Sequence, residues 1–384
     1  MIRLGVIGCG GRARGLLGLM DQLGQEAKVT AIADPRKDAL PSELADRPWL
    51  ADDVRYFADA DEMLDGVSLD GVLVATRCSR HAAIGSKVLQ HNLPLFLEKP
   101  VATTIEDWRM LKAAGQQSTS PVVVGFPMRV SPLVRTAKRI VDSGQVGTIE
   151  HVLAWCFPAY GGVYYHDWYR DENETGGLFL QKATHDFDYL NVLLGKARRI
   201  CAMTSKRVFT GDRPAGLRCD ACDEQDTCPE SGFNLFYRRG ERDRVTPTNH
   251  LCSFAVDTGN EDSGSAIIEY ASGMHAVYTQ CFYARKKAGS RGARLTGYKG
   301  TIEFDWTTRE LVVYMHHEPR VERYDHEAVG GHGGGDIVLV HNFLELIRGE
   351  ADEVAPLEAG LQSALMCLKA RESATDHAFK VVEP

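Results

Sequence analysis

The tightest constraint on this chain lies at its start, Ile-Arg-Leu-Gly-Val-Ile-Gly-Cys-Gly-Gly-Arg-Ala over residues 2–13. Leu4–Ile7 reads as a buried strand. Gly8, Gly10 and Ala13 then take the spacing G-x-G-x-x-A. The first glycine permits a tight turn, the second lets backbone approach a pyrophosphate, and the small third residue lets the next helix lie close to the strand. That helix opens at Arg12 and runs to about Leu23, aiming unpaired N–H groups and a positive dipole end at phosphate. A second strand, Lys28–Ala33, ends in Asp34, where a carboxylate can accept the ribose hydroxyls of NAD. The same carboxylate disfavours a 2′-phosphate, so the expected dinucleotide is NAD. Arg36 and Lys37 follow closely and keep NADP open as the alternative.

The pattern after this loop sets the fold class. Val54–Phe57, Gly71–Ala75, Leu95–Leu97 and Val122–Gly125 read as further short apolar strands with helices between them. That alternation predicts a doubly wound parallel sheet, an α/β Rossmann domain over residues 1–125. A polar helix is expected over Arg36–Asp46. From residue 126 to 384, strands follow one another without helices between: Ile149–Phe157, Arg199–Val208, Leu251–Val256, Ser265–Tyr270, His275–Phe282, Ala293–Gly297, Gly300–Asp305 and Glu310–His316. These predict an α+β substrate and oligomerisation domain with a large, mostly antiparallel open sheet. Helices are expected over Leu133–Ser143, Gly176–Leu194, Asp336–Arg348 and Leu357–Ala378, the last able to pack back toward the first domain.

The 384 residues suffice for two domains, and 44 % hydrophobic with 25 % charged residues is a soluble composition. A net charge of −8 argues against nucleic acid. No apolar run reaches the roughly 18 residues of a membrane span, so neither partner class is expected. With the phosphate loop at the start, the expected location is cytoplasmic, and the ten cysteines are expected to be thiols or metal ligands.

Two clusters carry candidate chemistry. Glu98-Lys99-Pro100 ends a sheet strand beside the crevice where the nicotinamide would lie, and Lys99 could bind a substrate hydroxyl and help remove its proton. The run Gly176 to Asp188 contains Gln181, Lys182, His185 and Asp188. Helical spacing puts Gln181, Lys182 and His185 on one face with Asp188 a turn on, and a histidine held by an acid is a natural proton acceptor.

Together these pieces resemble the Gfo/Idh/MocA oxidoreductase family, which takes in glucose–fructose oxidoreductase and inositol dehydrogenase. The resemblance covers nearly the whole chain. It rests on Gly8-Cys9-Gly10, Ala75-Thr76 with His81, Glu98-Lys99-Pro100, Gly125-Phe126 with Arg129, and Gly176-Gly177…His185…Asp188. It implies bound NAD(P), with Thr76, His81, Glu98 and Arg129 joining the cofactor-binding set, acid–base work by Lys99 and His185, and a cis bond before Pro100. It also implies a homodimer or homotetramer built through the C-terminal sheet. One departure is plain: the family commonly has an aspartate four residues before the histidine, and this chain has Gln181.

Seven aromatic residues crowd Trp155–Tyr169. Most should be core, but a few suit the C–H faces of a sugar. Tyr160, Trp168, Arg170, Gln181 and His332 are the candidate substrate contacts, with Arg170 and Lys182 favouring an anionic substituent. The expected activity is an NAD-dependent sugar or polyol dehydrogenase. The alternative, motivated by Gln181, is an NAD-dependent glycosidase that oxidises C3, eliminates the aglycone, adds water and returns the hydride. A third reading is a redox-sensing protein that holds NAD without catalysis. Cys219-x2-Cys222-x5-Cys228 with Cys252 (or His250) could hold a structural zinc. Asp336 is a candidate cap for the helix that follows His332.

Overall fold

A computed structural model describes the chain except residues 25, 242–246, 328–330 and 383–384. Its contacts divide it into two compact units. The first comprises Met1–Thr136, Phe187–Val192 and Glu327–Leu365; the second comprises Ala137–Asp186, Leu193–His326 and Met366–Pro384. No helix among the described residues is long and apolar enough to cross a membrane.

The first unit begins β1 (Ile2–Ile7), α1 (Gly11–Gln22), β2 (Ala27–Ala33), α2 (Leu40–Leu44), β3 (Leu50–Phe57) and α3 (Ala60–Gly66). It continues β4 (Gly71–Val74), α4 (His81–Gln90), β5 (Leu95–Leu97), α5 (Ile105–Gln117) and β6 (Val122–Val124), and α6 (Pro132–Asp142) follows. The strands form one parallel sheet in the order β3-β2-β1-β4-β5-β6. The doubly wound sheet expected from the alternating pattern is therefore present. Its register pairs Ile7 with both Ala33 and Val74, Val74 with Leu97, and Leu97 with Val124. Gly8, Asp34, Ala75, Glu98 and Gly125 consequently follow in one row at the carboxyl ends of the strands, where an open α/β sheet binds ligands. The helix expected over Arg36–Asp46 shortens to α2, because residues 34–39 are spent on turns closed by Lys37 N–H to Asp34 O and Ala39 N–H to Arg36 O.

Residues 327–365 join this unit through specific contacts. Phe343 packs edge-on against Phe96. The Trp108 indole donates to Leu361 O at 2.8 Å, and Val124 N–H donates to Ala355 O.

The second unit carries β7 (Ile149–Phe157), the short α7 (Glu172–Thr175), the first turn of α8 (Thr184–Leu194), β8 (Ala197–Ser205), β9 (Ser263–Tyr270), β10 (His275–Cys281), β11 (Ser290–Gly297), β12 (Gly300–Asp305), β13 (Glu310–Met315) and β14 (Val321–Asp325). Further along the chain, α9 (Gly335–Arg348) belongs to the first unit, α10 (Leu357–Asp376) passes from the first to the second, and β15 (Lys380–Val381) lies in the second. Among the described residues, nine strands form one sheet in the order β14-β13-β12-β11-β7-β10-β9-β8-β15, antiparallel except where β7 meets β10. Burial alternates along β7 and β9, so one face of the sheet is covered and one is open. Tyr164, Tyr165, Leu178, Phe209 and Phe282 form a core cluster on this unit, which absorbs two of the seven aromatics of the Trp155–Tyr169 run.

Two expected strands differ. β8 stops at Ser205 rather than Val208, because Asp262 Oδ2 accepts the backbone N–H groups of Arg207, Val208 and Phe209 and draws the chain out of the sheet. Leu251–Val256 is not a strand. It makes only isolated bridges, Leu251 to Arg218 and Ala255 to Arg213, and its remaining backbone closes turns. β14 and β15 went unforeseen; β14 is five residues of alternating exposure, and β15 is two residues long.

Candidate active site

In the first unit, Gly8 has φ +84°, and a Cβ there would lie 2.8 Å from the Ala75 carbonyl oxygen and from Thr76 Cγ2. Only glycine meets both demands. Gly10 caps α1 with extended backbone and no side-chain partner, and a Cβ there would meet nothing within 4 Å. Free N–H groups of a twelve-residue helix thus open onto clear space, which suits a pyrophosphate. Ala13, in the first turn of α1, is fully buried, as the motif requires.

Asp34 lies 6 % exposed at the end of β2. Its Oδ2 accepts from Cys9 N–H at 2.9 Å, and its Oδ1 accepts from Arg36 N–H at 2.9 Å and Arg36 Nε at 3.2 Å. A carboxylate has about four acceptor positions, so capacity remains for a ribose hydroxyl. The residues present therefore fit a dinucleotide from its phosphates to its ribose.

Lys99 follows β5, half-buried, and the Lys99–Pro100 peptide is cis, as the resemblance implied. His81 is buried with Nδ1 2.8 Å from Pro100 O and Nε2 3.2 Å from Thr76 O. Burial lowers its pKa, and a neutral imidazole carries one N–H, so the ring donates to one of these two carbonyls.

Glu98 sits against Gly125, where a Cβ would come within 2.7 Å of its Oε1. Arg12 Nε donates to Glu98 Oε1 at 2.6 Å and Arg12 Nη2 to Asp336 Oδ1 at 2.7 Å. His332 Nδ1 lies 2.8 Å from Asp336 Oδ2. Burial opposes the Asp336 charge, but His332 and Arg12 hold its pKa at about 2. This corrects one expectation. Asp336 does not cap α9, whose N-cap is Gly334 with no side-chain bond. Arg12 is engaged with carboxylates, which places its guanidinium beside the Lys99 loop as a tie between α1, β5 and α9.

Arg129 follows β6, with Nη1 3.6 Å from Asp188 Oδ1, too long for a hydrogen bond. Burial raises the Asp188 pKa to about 7, with Arg129 pulling it down. Arg129 Nη1 and Asp188 Oδ2 have no hydrogen-bond partner among the described residues. Asp188 thus faces Arg129 across this gap.

In the second unit, Gly176 and Gly177 both have positive φ. Glu261 Oε1 accepts from Leu178 N–H at 2.9 Å and Phe179 N–H at 3.1 Å, holding the start of a π turn over Phe179–Ala183. A π turn is wider than an α turn, so faces counted at 3.6 residues per turn do not carry across it. Gln181 and Lys182 are buried in the π turn, and His185 is buried in the first turn of α8. Lys182 Nζ donates to Tyr160 Oη at 2.5 Å.

Next to His185, the fully buried Asp186 accepts from Arg291 Nε (2.8 Å), Arg291 Nη2 (3.0 Å) and Tyr278 Oη (3.0 Å). Sequence reasoning missed Asp186, Arg291, Tyr278, Glu261 and the pairing role of Asp336. Only Asp186 and Asp336 lay in runs already singled out; nothing near Arg291 or Glu261 in the chain marks either.

The remaining substrate candidates have different surroundings. Trp168 stacks on Tyr169 at 3.8 Å. Arg170 Nη2 donates to Asp257 and Thr258, while its Nε and Nη1 have no hydrogen-bond partner among the described residues. His332 belongs to the first unit.

The proposed zinc ligands are corrected. Among the described residues no group of three or more His, Cys, Asp or Glu side chains could hold a metal. Cys219 Sγ is 3.7 Å from His250 Nε2, and the ring nitrogens of His250 lie within 3.0 Å of the Leu251 and Glu230 carbonyls. Cys222 Sγ is turned to Asp223. All ten cysteines, Cys228 and Cys252 among them, are free thiols.

Comparison with known proteins gives a consistent picture. Residues 2–126 match the model for an oxidoreductase family with an NAD-binding Rossmann fold, and residues 134–303 match the GFO/IDH/MocA C-terminal domain. YteT of Bacillus subtilis, which carries an oxidoreductase name, is 28 % identical over 90 % of this chain and 89 % of its own length. An NAD(+)-dependent scyllo-inositol 2-dehydrogenase of B. subtilis is 26 % identical over 44 % of this chain and 47 % of its own. Levoglucosan dehydrogenase with NADH and levoglucosan superposes with a TM-score of 0.78 at 19 % identity, covering both chains in full. The WlbA dehydrogenase of Bordetella pertussis, with NADH and UDP-GlcNAcA, superposes at 0.74 and 20 % identity, covering 100 % of this chain and 99 % of its own.

Proposed function

Because this chain belongs to the Gfo/Idh/MocA oxidoreductase family, an NAD-binding family, we propose that it is an NAD-dependent dehydrogenase of a sugar or polyol. The observation that carries the reading is the row at the strand ends of the first unit. A glycine turn opening on clear space, a buried acceptor at Asp34 and a lysine at Lys99 stand together there. The relatives named for inositol and levoglucosan dehydrogenation support the substrate class.

Bound NAD would take up the hydride from the substrate carbon. Gly8 and Gly10 would admit its pyrophosphate, the α1 N–H groups would bind it, and Asp34 would accept from its ribose. Lys99, donating to the substrate hydroxyl, would favour loss of its proton, and His185 would accept that proton as general base. Gln181 cannot take up a proton, so no carboxylate at that position competes for it.

The test is a titration of purified protein with NADH by fluorescence, followed by a screen of sugars, polyols and aryl glycosides with NAD. NADH binding and substrate-dependent absorbance at the NADH band are expected. Aglycone release without net NADH would instead establish the glycosidase cycle. Absence of any NADH binding would overturn the reading.

A further inference from the structure

The ribose end of the groove holds more charge than NAD needs. Arg14, on α1, donates through Nε to Cys9 O at 3.0 Å and through Nη2 to Glu43 Oε2. Arg36, just beyond β2, reaches Cys9 O through Nη2 at 3.3 Å and the same Glu43 oxygen through Nη1 at 3.5 Å. Its Nε is on Asp34. Two guanidiniums from separate elements therefore converge on the loop peptide of Cys9, beside the carboxylate that would accept the ribose hydroxyls. One exposed glutamate on α2 engages both. Arg14 and Arg36 would suit a 2′-phosphate, because a guanidinium binds phosphate oxygens bidentately. With Asp34 and Glu43 present, the corner is two cations against two anions.

We propose that Glu43 sets the nucleotide preference of this protein, holding Arg14 and Arg36 on its carboxylate so that a 2′-phosphate finds neither guanidinium free. Asp34 disfavours the phosphate by direct repulsion, whereas Glu43 acts through its partners. Removing the Glu43 charge leaves the corner with a net charge of +1 and releases Nη groups on both arginines. Glu43 is exposed, and Arg14 holds its carboxyl below the usual range, so it remains ionised throughout the neutral pH window.

The inference rests on the dinucleotide reading. Its test is binding rather than turnover: wild type, Glu43→Gln and Glu43→Gln/Arg14→Gln/Arg36→Gln are titrated with NADH and with NADPH by fluorescence. Wild type should prefer NADH. Glu43→Gln should tighten NADPH by roughly tenfold while NADH shifts by less than about threefold, and the triple variant should lose that gain. The inference is overturned if NADPH affinity in Glu43→Gln stays within about twofold of wild type while NADH binds, if the triple variant keeps the gain, or if wild type binds both nucleotides equally. Failure of wild type to bind either nucleotide overturns the dinucleotide reading, and this inference with it. Melting curves for each variant separate a loss of fold from a loss of affinity.

Discussion

Burial pushes the Asp188 carboxyl up to about 7, and the long 3.6 Å approach of Arg129 only partly offsets it. An acid whose folded pKa is raised binds its proton more tightly folded than unfolded. Its contribution to stability is therefore full below the ordinary carboxylate range and is lost as pH rises toward about 7. Asp188→Asn removes that titration. Melting curves from pH 5 to 8 should show wild type losing roughly a few degrees more than the variant across that window; parallel curves would mean that Asp188 does not titrate there. Lys99→Ala should lower kcat by at least about a hundredfold while NADH affinity changes only a few fold, since the side chain is proposed to act on substrate. A kcat within about threefold of wild type would remove Lys99 from the chemistry. Gly8→Ala faces both a positive φ and a backbone oxygen at 2.8 Å, so it should lower the melting temperature and weaken NADH together.

At the scale of elements, the open face of the second sheet carries an apolar row. Leu153 on β7 pairs with Val277 on β10, which pairs with Ile267 on β9, which pairs with Cys201 on β8. Leu153 and Ile267 are 41 % and 47 % exposed. Aligned apolar side chains on adjacent strands make a contiguous patch, the kind of surface that marks a protein interface. Self-association through this face is the expectation carried over from the family resemblance. Light scattering after size exclusion should give an oligomer for wild type, shifted toward monomer by Ile267→Lys. A monomeric wild type, or a variant with unchanged mass, would count against the face. The π turn over 179–183 teaches the opposite lesson about periodicity. Its capping acceptor, Glu261, comes from a segment some eighty residues on, so helical counting from Gly176 could not find it.

For the whole molecule, the expected test is where ligand protects the chain. If NADH binds only the folded state, a hundredfold excess over Kd should stabilise the protein by about 2.7 kcal/mol. Hydrogen exchange should slow around Gly8–Ala13, Asp34–Arg36 and Glu98–Lys99; protection confined to the second unit would contradict the assignment. Much of this architecture was legible in the chain. Six short apolar strands separated by helices specify a parallel sheet, because a strand buried on both faces must be apolar throughout. The glycine spacing and Asp34 specify the nucleotide groove, because their demands are local: a φ that only glycine tolerates readily, a helix start, a carboxylate at a strand end. Pairing between residues far apart in sequence was not legible. Arg12 with Glu98 and Asp336, Asp186 with Arg291, and Cys219 with His250 in place of a zinc set all depend on side chains brought together across tens to hundreds of positions. Short-range sterics and periodicity set the elements and the residue types at the strand ends, so these could be read from the order of residues alone. Only the tertiary structure decided which charges meet and which stay unmatched, because burial and partner geometry exist only once the chain has closed on itself.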